Sequence, residues 1–490
     1  MNGQRWDDNT LGRREVLFRA AGGFGGVALA ALLTSCQRMS SAPRAEPPTA
    51  DVAKKAKRVI YLYMEGGPSQ IDTFDPKPEL ERLAGKPIGS PTHLALPPIL
   101  AERTILPSPF RFRRFGSSGI EVSELFPHLA EYVDDMSVIR SMQGKYSEHA
   151  TANCFMNTGW GRRGRPSVGS WVLYGLGSTN DQLPGFVVLG QDEPLKGGNG
   201  SLAHGFLPPM ADPLTVPVEY DEPYDDPLRS EIPLSLVAPN DSWSRRSGKL
   251  AAIHELNQAG AELRQAEAAV GEAISQLEVA AQMQLTLPDA WDLNGESRAT
   301  LKLYGVDDKR TLQFATLCIR ARRMLERGVR FVQLCSPEPP ASHRFDNWDQ
   351  HSHLIEGHRA NALQVDKPIA GLFKDLKLRG LWEDTLIVWG GEFGRTPTQE
   401  IAVSRAGGRD HNPRGFTVWL AGGPVRGGTV HGSTDEFGYA AVEGVVTVHD
   451  LHATILHLIG IDHEKLAFRH GGRDFRLTDV YGDVVHDVVA

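Results

Sequence analysis

Short apolar, β-favouring runs recur along this chain with helical patterns between them, and that alternation leaves few folds open. Arg58-Val-Ile-Tyr-Leu-Tyr-Met64 stops at the glycine turn Glu65-Gly-Gly-Pro68. Met136-Ser-Val-Ile139, Gly185-Phe-Val-Val-Leu189, Val329-Arg-Phe-Val-Gln-Leu334, Leu386-Ile-Val-Trp389 and Phe416-Thr-Val-Trp-Leu420 follow. Phe314 to Arg327 and His358 to Arg379 are among the helical patterns that separate them. Strands covered on both faces read as continuous apolar runs, and strands alternating with helices form parallel sheets. The expectation is an α/β fold with a mostly parallel central sheet and helices on both faces. Ligands in such folds bind beyond the carboxyl ends of the strands, where Glu65, Glu392 and the turn holding Asp349 and His353 should converge.

Three strings supply the chemistry expected there. They are Asp346-Asn-Trp-Asp349-Gln-His351-Ser-His353, Gly390-Gly-Glu392-Phe-Gly-Arg395-Thr-Pro397 and Gly408-Arg-Asp410-His411. Any one of them alone would read as loop capping, but together they collect carboxylates and imidazoles, the oxygen and nitrogen donors a divalent ion takes.

The remaining composition bounds the class of partner. A formal net charge of −8 excludes a general nucleic-acid or anionic-membrane binder. Basic residues do cluster in Trp160-Gly-Arg-Arg-Gly-Arg165, where Arg163 and Arg165 are candidates for holding an anionic substrate, the alternative being a solvated loop. Residues 1–36 read as a twin-arginine export signal: Arg13-Arg14 precedes the apolar stretch Gly25 to Leu33, which is too short to span a bilayer. Leu33-Thr-Ser-Cys36 resembles a lipoprotein cleavage box, so Cys36 is a candidate lipid anchor and the only expected membrane contact. Residues 37–57, rich in Ser, Pro, Ala and Lys, read as a tether ahead of a domain over 58–490. Without Cys36, the odd set Cys154, Cys318 and Cys335 excludes a disulfide framework, leaving stability to a large core. A loop and helical insertion occupies about 190–300. Its Leu195 to Ser247 part reads as irregular loops over the site mouth, and Leu250 to Leu285 as a helix of about 35 residues, about 50 Å long.

Gly66-Gly-Pro-Ser69-Gln-Ile-Asp72-Thr-Phe-Asp75, Gly164-Arg-Pro-Ser-Val-Gly-Ser-Trp171, Ala321 to Val332, Trp348-Asp-Gln-His351 and Gly391-Glu-Phe-Gly-Arg-Thr-Pro397 together carry a resemblance that covers everything after the tether. The chain resembles a sulfatase-like, twin-arginine-exported bacterial family of the alkaline phosphatase superfamily. That resemblance implies one or two divalent ions polarising a phosphate or sulfate ester for in-line attack. It assigns Asp349, His353 and His411 to one ion, Zn, Mn or Ca, and puts Glu392 and either Asp72 or Glu65 at the site. A second ion is weakened, because Phe393 stands where the superfamily has a histidine, unless His351 or Asp346 replaces that donor. Sulfatases place a nucleophilic cysteine at fixed spacing before a Thr-Gly pair, and that spacing counted back from Thr158-Gly159 reaches His149, which cannot become formylglycine.

His149 is therefore expected as nucleophile or general base, with Ser147 or Thr151 in its place if the register differs. Arg395 is expected to clamp the ester or to pair with the site's own carboxylates. His431, His449, His452 and His457 read as structural, as do Trp389 and Trp419. The function expected is an exported metal-dependent hydrolase of a phosphate or sulfate ester, including esters on sulfated or phosphorylated glycans. The alternative is a catalytically silent envelope protein that keeps the fold as a binding scaffold.

Overall fold

A computed structural model describes residues 54–89, 91, 96–180, 183–190, 195, 199–216, 287–339, 347–400 and 407–490. Apart from Leu287, every described residue belongs to one compact unit, Glu46–Ser230 with Pro288–Ala490. The export signal, Cys36, Asp346, most of the tether and the expected helix from Leu250 to Leu285 lie outside the described residues.

Among the described residues the central sheet has nine strands. Across it run Thr429–His431, Met136–Gln143, Phe416–Gly422, Thr385–Gly390, Arg58–Tyr63, Phe331–Cys335, Phe186–Leu189 and Leu214–Val216, with Val446–Thr447 also paired to Met136–Gln143. Only Phe416–Gly422 runs against the others, so the mostly parallel sheet expected from the sequence is present with one reversed strand. Its apolar run looks like its neighbours' because burial on both faces, not direction, sets that pattern. Leu214–Val216 corrects part of the reading of Leu195 to Ser247 as irregular loops, since it pairs in parallel with Phe186–Leu189 at the sheet edge. Just ahead of the first strand, Ala56 is buried and its N–H donates to Leu458 O (2.9 Å).

Helices cover both faces. Val59, Tyr61 and Tyr63 share a core with Val388, Val418 and Leu420, and with residues of the helices His149–Thr158, Val168–Leu176 and Val448–Leu458. On the opposite face Trp389 and Trp419 stack at 5.7 Å, and Phe373 of the helix Leu354–Leu378 meets Trp419 edge-on at 5.8 Å. Such aromatic packing contributes beyond area burial alone. Cys154, Cys318 and Cys335 are buried free thiols, in keeping with a fold held by its core. Among the described residues no helix is long and apolar enough to cross a membrane.

The helix His149–Thr158 starts where it does for a local reason. Glu148, at the N-cap, accepts from Ala150 N (2.9 Å) and Thr151 N (3.0 Å), satisfying amides that the helix leaves without partners. That cap fixes His149 in the first turn, and Gly159, in the left-handed region at φ 68, ends the helix.

Candidate functional site

The first strand ends at Tyr63, and the two glycines after Glu65 let another loop come unusually close. Gly66 has φ 103, and a Cβ placed there would sit 2.7 Å from Asp349 N. Only glycine accommodates both that backbone and that approach. The turn so admitted, residues 347–352, is pinned from three sides. Trp348 N donates to Glu65 O (3.2 Å), Asn347 Nδ2 to Ser336 O (2.8 Å) and Arg409 N to Gln350 O (3.1 Å).

A two-stranded antiparallel ribbon, Gly394–Gln399 with Arg409–Asn412, closes over this turn and sets His411 opposite Arg395. Arg395 is completely buried. Its Nε donates to Gly67 O (3.0 Å), Nη1 to Arg409 O (3.1 Å), and Nη2 to Gly66 O and Asp349 Oδ1 (2.7 Å). Arg409, equally buried, donates through Nε to Asp72 Oδ2 (2.7 Å). These guanidinium groups hold three chain segments together where no apolar core could, because the atoms to be satisfied are carbonyls and carboxylates.

At the centre stands Asp349, with His149, His351 and His411 around it, one ligand atom from each lying within 4.8 Å of the others. Asp349 Oδ1 is 3.0 Å from His351 Nε2 and 3.1 Å from His411 Nε2, which are themselves 2.9 Å apart. The other ring nitrogens fix the protons. His411 Nδ1 lies 2.7 Å from Ser147 O, and a carbonyl can only accept, so Nδ1 carries a hydrogen and Nε2 of the neutral ring is a lone pair. His351 Nδ1 is hydrogen-bonded to a Glu400 carboxylate oxygen, the arrangement that orients metal-binding imidazoles. Two imidazole lone pairs and a carboxylate oxygen thus converge on one point. Such convergence repels unless positive charge sits there, and a proton or a metal ion supplies it. The residues fit a divalent ion on this count.

His149 faces two carboxylates, with Nε2 2.9 Å from Asp349 Oδ2 and Nδ1 2.7 Å from Glu392 Oε1. Glu392 is held in turn by Gly66 N–H, which donates to Oε1 (3.0 Å) and Oε2 (3.2 Å). Burial opposes the charged ring, but hydrogen bonds to Asp349 and Glu392 outweigh it and push the His149 pKa up to about 9. Burial likewise opposes ionisation of Asp349, yet the bonds from His149, His351 and His411 and the Arg395 charge hold its carboxyl far below the usual range. His351 is raised by its bond to Asp349 against the effect of burial, whereas burial lowers His411.

A pH dependence of the metal-stripped protein follows. The folded pKa of His149 exceeds the unfolded value of 6.5, so its stabilisation is complete below pH 6.5 and disappears as pH rises through about 9. Thermal unfolding of chelator-treated protein should show the midpoint falling between pH 7 and pH 9, and His149→Gln should remove most of that slope. A variant with the same slope would assign the effect to another group.

Several residues expected at the site stand elsewhere. His353 is exposed at the N-cap of Leu354–Leu378, with φ 56, and is outside the cluster; His351 takes the place expected for it. The backbone between them turns, so the imidazole two residues after Asp349 faces the cluster and the one four residues after it does not. Asp72 pairs with Arg409, and the Glu65 backbone carbonyl accepts from Trp348 N. Glu392 grips His149 and is not itself in the ligand cluster. Arg395 takes the second of its expected roles, pairing with Asp349. Thr151 Oγ1 donates to the capping Glu148 (3.0 Å). Arg165 pairs with Asp479 (3.1 Å) and stacks over Trp160 at 4.1 Å, while Arg163 is exposed and lies near Gly200. Phe393 packs its ring against His411 (4.4 Å) and His149 (5.0 Å), so it buttresses these imidazoles rather than marking an empty ligand position. Glu400 and the Ser147 carbonyl were not anticipated, and no motif carries them. His449 and His452 bond to Gly159 O and Met156 O, the structural roles expected.

An open cleft of about 240 Å³ adjoins the cluster and shares Ser147 and His411 with it. Pro97, Ile99, Leu100, Arg103, Asp410, Arg414 and Tyr439 also line it.

The chain belongs to the family described as "protein of unknown function (DUF1501)", whose sequence profile matches residues 56–489. No curated protein matches the sequence. Among solved structures it is similar to a protein in the alkaline phosphatase superfamily from Vibrio parahaemolyticus, at 11% identity and a TM-score of 0.34 over 89% of this chain and 75% of that one. A sulfatase from Pseudoalteromonas sp. gives 12% identity and a TM-score of 0.33 over 90% and 72% of the two chains. The phosphonate monoester hydrolase from Silicibacter pomeroyi gives 14% and 0.33 over 68% of each. Likeness at these TM-scores does not extend to a function.

Proposed function

We propose that this protein is a metal-dependent hydrolase of a phosphate or sulfate ester, exported to the cell envelope. The observation that carries the reading is the convergence of Asp349 Oδ1, His351 Nε2 and His411 Nε2 within 3.1 Å, with both imidazoles held at Nδ1 by acceptors. Nitrogen-rich sets of this kind suit zinc better than manganese or calcium, which favour oxygen donors. When bound, such an ion would polarise the ester and acidify the attacking oxygen. Arg395 holds Asp349 in place, and Glu400 and Ser147 aim the two imidazoles. His149 keeps a proton at Nε2, balanced between Asp349 and Glu392. With hydrogens on both nitrogens it has no lone pair for attack, so its part is to supply a proton to a departing alkoxide rather than to act as nucleophile.

Metal analysis of the purified protein, with a panel of phosphate monoesters, phosphonate monoesters and sulfate esters, tests this. Stoichiometric zinc or manganese and turnover that a chelator abolishes are expected; bound metal without turnover of any class defeats the enzyme reading. One observation favours the rival, a silent envelope scaffold: Asp349 already receives His149, His351 and Arg395, so protons and a guanidinium alone can balance its charge. Metal-free protein that binds none on titration would support it.

Export is part of the proposal and rests on the paired arginines. Replacing both by lysine, Arg13→Lys with Arg14→Lys, should leave the protein in the cytoplasm on cell fractionation. Delivery of that variant to the envelope would exclude the twin-arginine route.

A further inference from the structure

We infer that the exposed aromatic and basic surface formed by Trp160, Tyr481, Lys145 and Arg162 binds a sulfated or phosphorylated polysaccharide. The surface adjoins the cleft at His411, so the bound polymer is also the substrate class. That second step rests on the ester-hydrolase reading, and the binding site itself does not.

Contacts join these residues into one patch. Lys145 Nζ lies 5.1 Å from the centre of the Tyr481 ring and 5.4 Å from that of Phe155. Two residues before Tyr481, Asp479 accepts from Arg165 Nη1 (3.1 Å), and the Arg165 guanidinium stacks 4.1 Å from the centre of the Trp160 ring. Gly161 then meets the Tyr146 ring, where a Cβ would come within 2.6 Å, and Tyr146 is the chain neighbour of Lys145. The circuit also touches the site. Tyr146 is followed by Ser147, which lines the cleft and whose carbonyl accepts from His411 Nδ1 (2.7 Å).

What the patch exposes decides the partner. Trp160 is 43% exposed, Tyr481 56% and the adjacent Val480 71%. Large apolar groups left together at a surface mark a binding site, and flat rings suit the C–H faces of sugars. Asp479 accepts from Arg473 as well as from Arg165, so one carboxylate serves two guanidinium groups. Lys145 and Arg162 are exposed, and among the described residues neither pairs with a carboxylate. Their charges and those of the two arginines exceed the carboxylates of Asp479 and of Glu148, which caps its own helix. A positive surface on a chain of formal net charge −8 points to an anionic partner at this place. Guanidinium forks match the oxygens of sulfate and phosphate groups. A strand of such a polymer can run from the patch into the cleft at Ser147, which a lipid bilayer cannot enter.

The test is a calorimetric titration of the full-length protein with dextran sulfate, with neutral dextran and phosphatidylglycerol vesicles as comparisons. Dextran sulfate should bind, more weakly as salt rises because exposed charges are screened, and neutral dextran should not. Trp160→Ala, and the double variant Lys145→Gln with Arg162→Gln, should each weaken binding about tenfold. Trp160→Phe should restore most of the loss, which separates a missing ring surface from misfolding, and circular dichroism checks each variant's fold. Affinity unchanged in these variants overturns the site, as does equal binding of neutral dextran or a wild type that binds no dextran sulfate. Vesicle binding of equal strength that the same substitutions abolish assigns the patch to a membrane surface and also overturns it. The expected pattern without hydrolysis of any ester supports the site and defeats only the hydrolase reading. Hydrolysis of p-nitrophenyl phosphate without that pattern overturns the site and leaves the hydrolase reading standing.

Discussion

His351→Ala and His411→Ala should each weaken zinc binding by on the order of 10²-fold or more, whereas His353→Ala should leave it unchanged. Removing even a residue that only orients a ligand costs about 10- to 100-fold, so loss of a ligand costs at least that much. Glu400→Gln, which removes the charge behind His351 Nδ1, should fall in that 10- to 100-fold range. His353 serves as the contrast because it differs from His351 by only two positions, yet it is exposed at a helix N-cap. The single losses should also combine non-additively in the double variant, since one ion is shared. Zinc titration with a competing chromophoric chelator reads all of these. Full affinity in His351→Ala, or a large loss in His353→Ala, would return the site to the Asp-x-x-x-His pair and remove His351 from it.

Arg395→Met should destabilise the protein by about 3–5 kcal/mol, the usual cost of removing one partner from a buried ion pair. Its guanidinium is fully buried and bonds to Asp349 and to the carbonyls of Gly66, Gly67, Trp348 and Arg409, so the variant leaves a carboxylate and four carbonyls without that donor. Arg395→Lys should recover little, since one ammonium cannot span sites that a planar fork reaches at both ends. Denaturant midpoints with an unchanged slope would report the loss. The same experiment separates the two roles available to Arg395. A clamp on substrate would leave stability intact and raise KM, while a positioning residue lowers stability and metal affinity together. Stability within about 0.5 kcal/mol of wild type, the range of ordinary surface substitutions, would discard the positioning role.

The sequence alone determined a mostly parallel sheet and its central strands, though neither the reversal of Phe416–Gly422 nor the edge strand Leu214–Val216, because burial on both faces demands continuous apolar runs whatever the strand direction. Arg58–Tyr63, Phe331–Cys335 and Thr385–Gly390 stand where those runs are, and the glycine turn after the first strand marks the edge where ligands gather. It also collected short strings that the fold brings together around Asp349, since carboxylates and imidazoles at strand ends follow from residue type and position. Which imidazole of the string from Asp346 to His353 turns inward was decided only by tertiary structure. Asn347 at φ 28 and His353 at φ 56 are backbone conformations that no residue pattern announced, and together they set His351 toward Asp349 and His353 toward solvent. The ribbon Gly394–Gln399 with Arg409–Asn412 was equally hidden, having neither alternating apolar residues nor a tight turn to signal it. It is held by Arg395 and Arg409 through bonds to segments more than 300 residues away, Arg395 to Gly66 and Arg409 to Asp72. Hydrophobic periodicity is a local property and can be read along the chain, whereas the satisfaction of a buried guanidinium depends on partners that only the folded backbone brings together.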